Sequence, residues 1–132
     1  MDANVLCSAL LAKGRTAELL FSPQLQPIAP ELLLNELERH KSELLKKTKL
    51  SEPDFDELIA LFQKRIRVIP AEEFKDFLPK ANKLLKEHTK DTEYVALALK
   101  YSCPLWSKEK ILRTLPGVKA LTADEVARLL DA

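Results

Sequence analysis

The chain has 132 residues, of which 46% are hydrophobic and 31% are charged, and only two are glycine. This composition is typical of one compact, helix-rich domain and excludes an intrinsically disordered chain. The 21 basic and 20 acidic side chains leave a formal net charge of +1. The overall charge therefore gives no indication of nucleic-acid binding.

The first half of the chain combines helical periodicity with one short β-like run. The predicted elements are helices over 4–13 and 16–21, a strand over 26–29, and helices over 30–47 and 51–64. Pro30 suits the first turn of the long helix. Ser51, followed three residues later by Asp54, predicts the N-cap of the next helix.

The second half alternates short strands with helices. The predicted elements are strands over 65–70, 103–107 and 117–122, and helices over 72–88, 91–102, 108–115 and 123–132. Pro79 predicts a kink or break in the first of these helices. The helix over 91–102, capped by Asp91 or Thr89, is apolar over most of its circumference and is expected to be largely buried.

Strands that alternate with helices predict a mostly parallel sheet covered on both faces. We therefore expect an α/β fold of three layers, α/β/α, in which a short, mostly parallel central sheet lies between helices. The fold is expected to be helix-rich and to form a single domain over residues 1–132. No repeat and no linker divides the sequence.

The cysteines and the apolar runs bear on the cellular compartment in which the protein is expected. Cys7 and Cys103 are too few for a disulfide framework, and both are expected to be small buried residues, as is Trp106. No apolar run approaches the roughly 18 residues that a membrane span requires. With no charged-then-apolar leader before the first helix, a soluble, cytoplasmic protein without membrane contact is expected. Basic clusters over 39–41, 46–49 and 108–113 are expected to be solvated helix faces.

Four segments resemble, in order, the motif blocks of the PIN domain family. They are DANVLCSALL, PELLLNELERHKSELL, DTEYVALAL ahead of CPLWSKEK, and GVKALT. The resemblance covers almost the whole chain and is of the small prokaryotic kind, to which toxins of the VapC type are related.

The resemblance implies a ribonuclease that uses Mg²⁺ or Mn²⁺ at a cluster of acidic side chains on the carboxyl edge of a parallel sheet. Carried over position by position, it implies four catalytic carboxylates, Asp2, Glu36, Asp91 and Glu109. The first three are the implied metal ligands. Glu109 stands where the family more often has aspartate, and is expected to act through water.

Three further polar residues are implied around the acids. Asn4 and Ser107 match positions that usually support the site, and His40, four residues after Glu36, would contact a substrate phosphate. Several of the candidate residues also have a purely structural interpretation. Without the resemblance, Asp91 is only a helix cap, Glu36 a surface glutamate and His40 a surface histidine.

Carboxylates suit phosphodiester hydrolysis for a chemical reason. The reaction needs a hydroxide at neutral pH and positive charge near the entering and leaving oxygens, which Mg²⁺ or Mn²⁺ provides. Mg²⁺ prefers a few carboxylate oxygens together with water and substrate phosphate. The sequence has no CxxC or HxxxH spacing for zinc and no glycine-rich phosphate loop.

The resemblance also implies an apolar strand that ends at the first acid, whereas only Met1 precedes Asp2 in this sequence. A strand of about five buried residues contributes on the order of 10 kcal/mol. We therefore expect either that Met1 is internal to a longer reading frame or that the sheet is completed by homodimerisation or exchange of an element. Metal binding by this chain is expected to be weaker than in a relative that has the strand.

Three functional classes are compatible with these residues. The first is the metal-dependent ribonuclease, with RNA as substrate and a small antitoxin protein as partner if the chain is a toxin. The second is a catalytically weakened PIN domain that binds RNA or a protein without cutting. The third is a plain helical interaction module whose four acids are scattered over its surface.

Overall fold

The computed structural model describes residues 15–131, so the helix predicted over 4–13 lies outside the described range. The α-helices within that range are α1 (Arg15–Leu20), α2 (Leu32–Arg39), α3 (Lys41–Thr48), α4 (Glu52–Arg65), α5 (Leu78–Leu85), α6 (Thr92–Tyr101) and α7 (Ala123–Asp131). The strands are β1 (Ile28–Pro30), β2 (Arg67–Ile69), β3 (Leu105–Trp106) and β4 (Ala120–Leu121). Short 3₁₀ helices span Ala71–Glu73, Lys75–Phe77, Thr89–Asp91 and Lys110–Thr114.

The strands pair in parallel, as the alternation of strands and helices predicted. Ile28 of β1 lies opposite Arg67 of β2, and Leu105 of β3 lies opposite Ala120 of β4. Over residues 15–131 these strands form two separate two-stranded sheets, each closed by a crossover that contains helix. The fold is thus helix-rich α/β with short parallel strands.

Helix α6 lies across both sheets. It contacts β1 and β3, and its buried residues form most of one face of the core. An apolar groove of about 280 Å³ brings the last turn of α6, with Leu97 and Tyr101, beside the residues that lead into β1 and β3. The end of α6 therefore lies at the starts of both strands, and its N-terminus points toward the opposite end, where the strands finish.

The hydrophobic core has two clusters, one on each side of the molecule. The first is built mainly from α2, α4 and α7, and includes Leu33, Leu37, Phe55, Phe62, Trp106 and Val126. The second surrounds α6, and includes Phe74, Leu85, Val95, Leu105 and Leu112. Trp106 is buried, as predicted, whereas Cys103 is only partly buried.

The helix predicted over 30–47 is two helices. The backbone of His40 leaves the helical region, with φ −96° and ψ 5°, so α2 ends at Arg39 and α3 begins at Lys41. The Lys41 ammonium lies 3.1 Å from a Glu52 carboxylate oxygen and 3.0 Å from one of Asp56. These contacts with α4 are tertiary, and the local sequence did not signal them.

The helix predicted over 72–88 is shorter than expected. Two 3₁₀ turns precede α5, and Pro79 lies in the first turn of that helix instead of kinking it. Proline fits this place because the amide hydrogen that it lacks would have no partner there. The segment predicted as a helix over 108–115 is likewise a 3₁₀ helix, Lys110–Thr114.

Arg65, the last residue of α4, holds the loop that leads into β1. Its guanidinium donates hydrogen bonds to the carbonyls of Leu20, Ser22 and Leu25 at 3.2, 2.8 and 3.1 Å. These carbonyls follow the end of α1, where no intrahelical donor reaches them. Between Arg15 and Asp131, no helix is long and apolar enough to cross a bilayer.

Candidate active site

Asp91 is a buried carboxylate at the start of α6. Its residue is 6% exposed, and in the range 15–131 the only other buried polar residue is Ser107. It occupies the N-cap position, but its side chain makes no capping hydrogen bond. Burying a charged group is costly unless something compensates it, and the positive end of the helix dipole favours an anion here. Asp91 is therefore a carboxylate whose burial needs compensation, to which the helix dipole contributes.

Ser107 fixes the turn that follows β3. Its N–H donates to the Leu121 carbonyl at 3.0 Å, which continues the pairing with β4. Its hydroxyl oxygen accepts the Glu109 N–H at 3.1 Å. These two bonds set the direction of the chain at Glu109, whose side chain is 28% exposed.

Lys90 joins the segments that carry Asp91 and Glu109. Its ammonium lies 3.3 Å from a Glu109 carboxylate oxygen. Because Lys90 directly precedes Asp91 in the 3₁₀ turn Thr89–Asp91, the start of α6 lies beside the turn after β3. This contact gives Glu109 a positive neighbour.

Glu36 and His40 lie on or next to α2, the helix that follows β1. Glu36 is partly buried in the second turn of α2, and both α2 and α6 contact β1. His40 is exposed, ends the helix, and lies 3.9 Å from a Glu43 carboxylate oxygen. Its nearby acid is therefore on α3, and its predicted contact with a substrate phosphate stays a prediction.

The predicted acids are brought together only in part. Asp2 and Asn4 lie outside the described range. In the portion that the structure describes, no three His, Cys, Asp or Glu side chains form a group that could hold a metal ion. Asp91, Ser107 and Glu109 share one end of the fold, while the position of Glu36 relative to them stays a prediction.

The donor chemistry at this end fits a hard cation. Asp91, Glu109 and Ser107 offer carboxylate and hydroxyl oxygens, the ligand type that Mg²⁺ and Mn²⁺ prefer. Cys103, the free cysteine of the described residues, lies on the groove beside the start of β3 and is partly buried. Burial raises the pKa of its thiol, which makes it a poor metal ligand at neutral pH.

The 3₁₀ helix after Glu109 is anchored to α7. The Arg113 guanidinium donates to a Glu125 carboxylate oxygen at 2.6 Å. That contact, together with the Thr122 N–H, holds the pKa of Glu125 below its ordinary value. The turn that carries Glu109 is thus tied to β4 through Ser107 and to α7 through Arg113.

Sequence reasoning placed Lys110 and Arg113 in a basic cluster but missed Lys86 and Lys90. Lys90 was not singled out, although it immediately precedes Asp91 and its charge was a usable signal. Lys86 gave no signal, because its importance depends on a backbone conformation that appears only in the folded turn.

Comparison with known proteins gives one match. A family profile described as PIN domain matches residues 1–131. No curated protein and no solved structure gives a significant match.

Proposed function

Because the chain belongs to the PIN domain family, we propose that it is a divalent-metal-dependent ribonuclease that hydrolyses RNA phosphodiester bonds. The observation that carries the proposal is the buried Asp91 carboxylate at the N-terminus of α6, beside the turn that bears Glu109. A carboxylate kept in such a place is costly to fold and is typical of a functional site.

The residues of the chain have distinct roles in this proposal. Asp91, with Asp2 and Glu36, would hold Mg²⁺ or Mn²⁺, which when bound supplies a nucleophilic hydroxide and charge stabilisation. Glu109 accepts a proton or orients water at the edge of the site. Ser107 is a positioning residue, since its hydroxyl fixes the Glu109 backbone at 3.1 Å. Lys90 offsets the charge of Glu109 before RNA arrives.

The same proposal extends to partners. The sequence resembles the small prokaryotic PIN domains, which supports a toxin whose cleavage a small antitoxin protein restrains. A homodimer would supply a neighbouring subunit to each site. We propose RNA as the substrate in either case.

A second candidate is a PIN domain that binds RNA or a protein without cutting. One observation favours it: over residues 15–131 no three candidate ligands gather around one metal position. It predicts salt-dependent RNA binding and no turnover with any divalent metal.

The decisive experiment compares RNA cleavage by the wild type and by Asp91→Asn, with Mg²⁺, with Mn²⁺ and with EDTA. We expect the substitution to lower the cleavage rate by roughly 100-fold or more, because the isosteric amide removes the charge that holds the metal. EDTA should abolish cleavage by the wild type. Asp76→Asn, at an exposed carboxylate in the turn Lys75–Phe77, is the matched control and should cleave normally.

Cleavage that persists in Asp91→Asn and in EDTA would contradict the proposal. The melting temperature of each variant is measured alongside, so that loss of activity is separated from loss of fold. RNA binding without turnover under every condition would favour the second candidate.

A further inference from the structure

The turn that ends α5 holds a lysine in a backbone conformation that favours glycine. Lys86 has φ 56° and ψ −110°, and the His88 N–H donates to the Leu85 carbonyl at 3.0 Å. These angles and this hydrogen bond define a type II′ turn with Lys86 at its first central position. Glycine dominates that position because any side chain strains it. A lysine there costs stability.

Lys86 lines a concavity next to the 3₁₀ helix that follows Glu109. The concavity has a volume of about 410 Å³ and lies between the end of α5 and the 3₁₀ helix Lys110–Thr114. That 3₁₀ helix follows Glu109, which Lys90 contacts at 3.3 Å. One wall of the concavity is therefore a 3₁₀ helix that begins at the turn carrying Glu109.

Exposed lysines lie on the segments around the concavity and the turn that carries Glu109. We define the basic rim as four exposed lysines, Lys83, Lys86, Lys90 and Lys110. The acids on the same segments are Glu87, which is exposed, Glu109, which Lys90 contacts, and Asp91. The rim thus lies on the segments between the end of α5 and the turn that carries Glu109, and has the charge that a phosphate backbone requires.

We propose that the basic rim binds the phosphate backbone of single-stranded RNA and guides it to the Asp91–Glu109 end of the fold. Lys86 is a positioning residue of this path, and its strained turn presents the ammonium group at the edge of the concavity. The inference rests on the proposed function, since the path leads to that site.

Two matched substitutions separate backbone strain from RNA contact. Lys86→Gly removes the side chain and relieves the turn. Lys49→Gly does the same at the end of α3, where Lys49 has φ 59° and ψ 19° in a second basic cluster. Leu45 and Leu50, close to Lys49, pack on the first core cluster, whereas Leu84 and Leu85 pack in the second. Neither variant should lose thermal stability, because glycine suits both positions.

The readout is binding of a fluorescent single-stranded RNA in EDTA, where metal-dependent cleavage does not interfere. We expect Lys86→Gly to weaken binding about three- to tenfold at low salt and to lower the slope of log K against log salt by about 0.7. Lys49→Gly should bind like the wild type. Lys86→Arg, which keeps the charge, should retain most of the affinity.

Equal affinities for Lys86→Gly and Lys49→Gly would overturn the inference, and so would a wild type that binds no RNA at low salt. The two proposals fail separately. RNA binding that depends on Lys86, without any cleavage, would support the basic rim and contradict the ribonuclease proposal. Normal RNA affinity together with cleavage in the Lys86→Gly variant would support the ribonuclease and contradict the basic rim.

Discussion

The Glu125 carboxylate both caps the start of α7 and binds Arg113 in a tertiary contact. Its carboxylate accepts the Thr122 N–H at 3.2 Å, and its own N–H donates to the Thr122 hydroxyl at 3.3 Å. This reciprocal pair is a capping box at the start of α7. The same carboxylate oxygen accepts Arg113 at 2.6 Å, so the helix end also holds the 3₁₀ helix beside Glu109.

The Arg113 contact predicts a pH dependence of stability. The Arg113 guanidinium holds the pKa of the Glu125 carboxyl below its ordinary value. A lowered pKa contributes stability above the unfolded pKa, and that stability is lost as pH falls through the folded pKa. We expect Arg113→Met to lower the melting temperature at pH 7 by no more than about 3 °C, because the pair is exposed.

The difference between Arg113→Met and the wild type should shrink as the pH falls through the lowered pKa of Glu125, where the carboxylate becomes protonated in the folded protein. Thermal unfolding followed by circular dichroism from pH 7 to pH 3 measures it. Arg128→Met, at an exposed position of α7, is the control. A difference that stays constant over this range would contradict the assignment.

At the scale of elements, the N-terminus of α4 depends on one hydroxyl. The Ser51 hydroxyl oxygen accepts the Asp54 N–H at 3.3 Å, as the sequence predicted. Ser51→Ala should destabilise the protein by about 1 kcal/mol, because that amide loses its partner. Urea unfolding measures the loss. Ser42→Ala, at an exposed position in the first turn of α3, should be near neutral, and an equal loss there would argue against a cap effect.

Elements with local causes were predicted well. The Ser51 cap and the apolar face of α6 follow from residues within one or two turns, so their bounds were nearly right. The prediction of one long helix over 30–47 was wrong because the backbone leaves the helical region at His40, a break that the leucine periodicity does not signal. Pro79 was read as a kink, although the same proline chemistry also suits a first turn.

The acids of the candidate site came from the resemblance to PIN domains, and their role stays a prediction. The structure adds that Asp91 is buried at a helix N-terminus. Ser107 was a supporting position by resemblance, and its hydrogen bond to the Glu109 backbone explains why a hydroxyl is useful there. The Lys90 contact joins two segments that are 19 residues apart, and the Lys86 turn depends on a backbone conformation; hydrophobic periodicity encodes neither.

At the scale of the whole molecule, α6 connects two halves that differ in their packing. It belongs to the cluster around Phe74, Leu85 and Leu112, and it also contacts β1, which lies beside the other cluster. Asp91, the acid on which the proposed function rests, is at its N-terminus. Changes that unpack α6 are therefore expected to affect both sheets and the site together.

The two parallel sheets close chain loops of unequal length, which gives an order to folding. Leu105 and Ala120 are roughly 15 residues apart and Ile28 and Arg67 roughly 40, and each doubling of a loop costs about 0.6 kcal/mol of closure entropy. The β3–β4 pair should therefore form earlier. The transition state for folding is expected to contain β3–β4 before β1–β2.

Stopped-flow kinetics of two matched variants test that order. Leu121→Ala in β4 should mainly slow folding, whereas Ile69→Ala in β2 should mainly speed unfolding, since both side chains are buried aliphatics. If Ile69→Ala instead slows folding and Leu121→Ala speeds unfolding, the β1–β2 pair forms first in the folding nucleus and the expected order is wrong. If the expected order holds, the β3–β4 pair forms before β1 and β2 have paired. The turn that carries Ser107 and Glu109 then forms together with β3–β4.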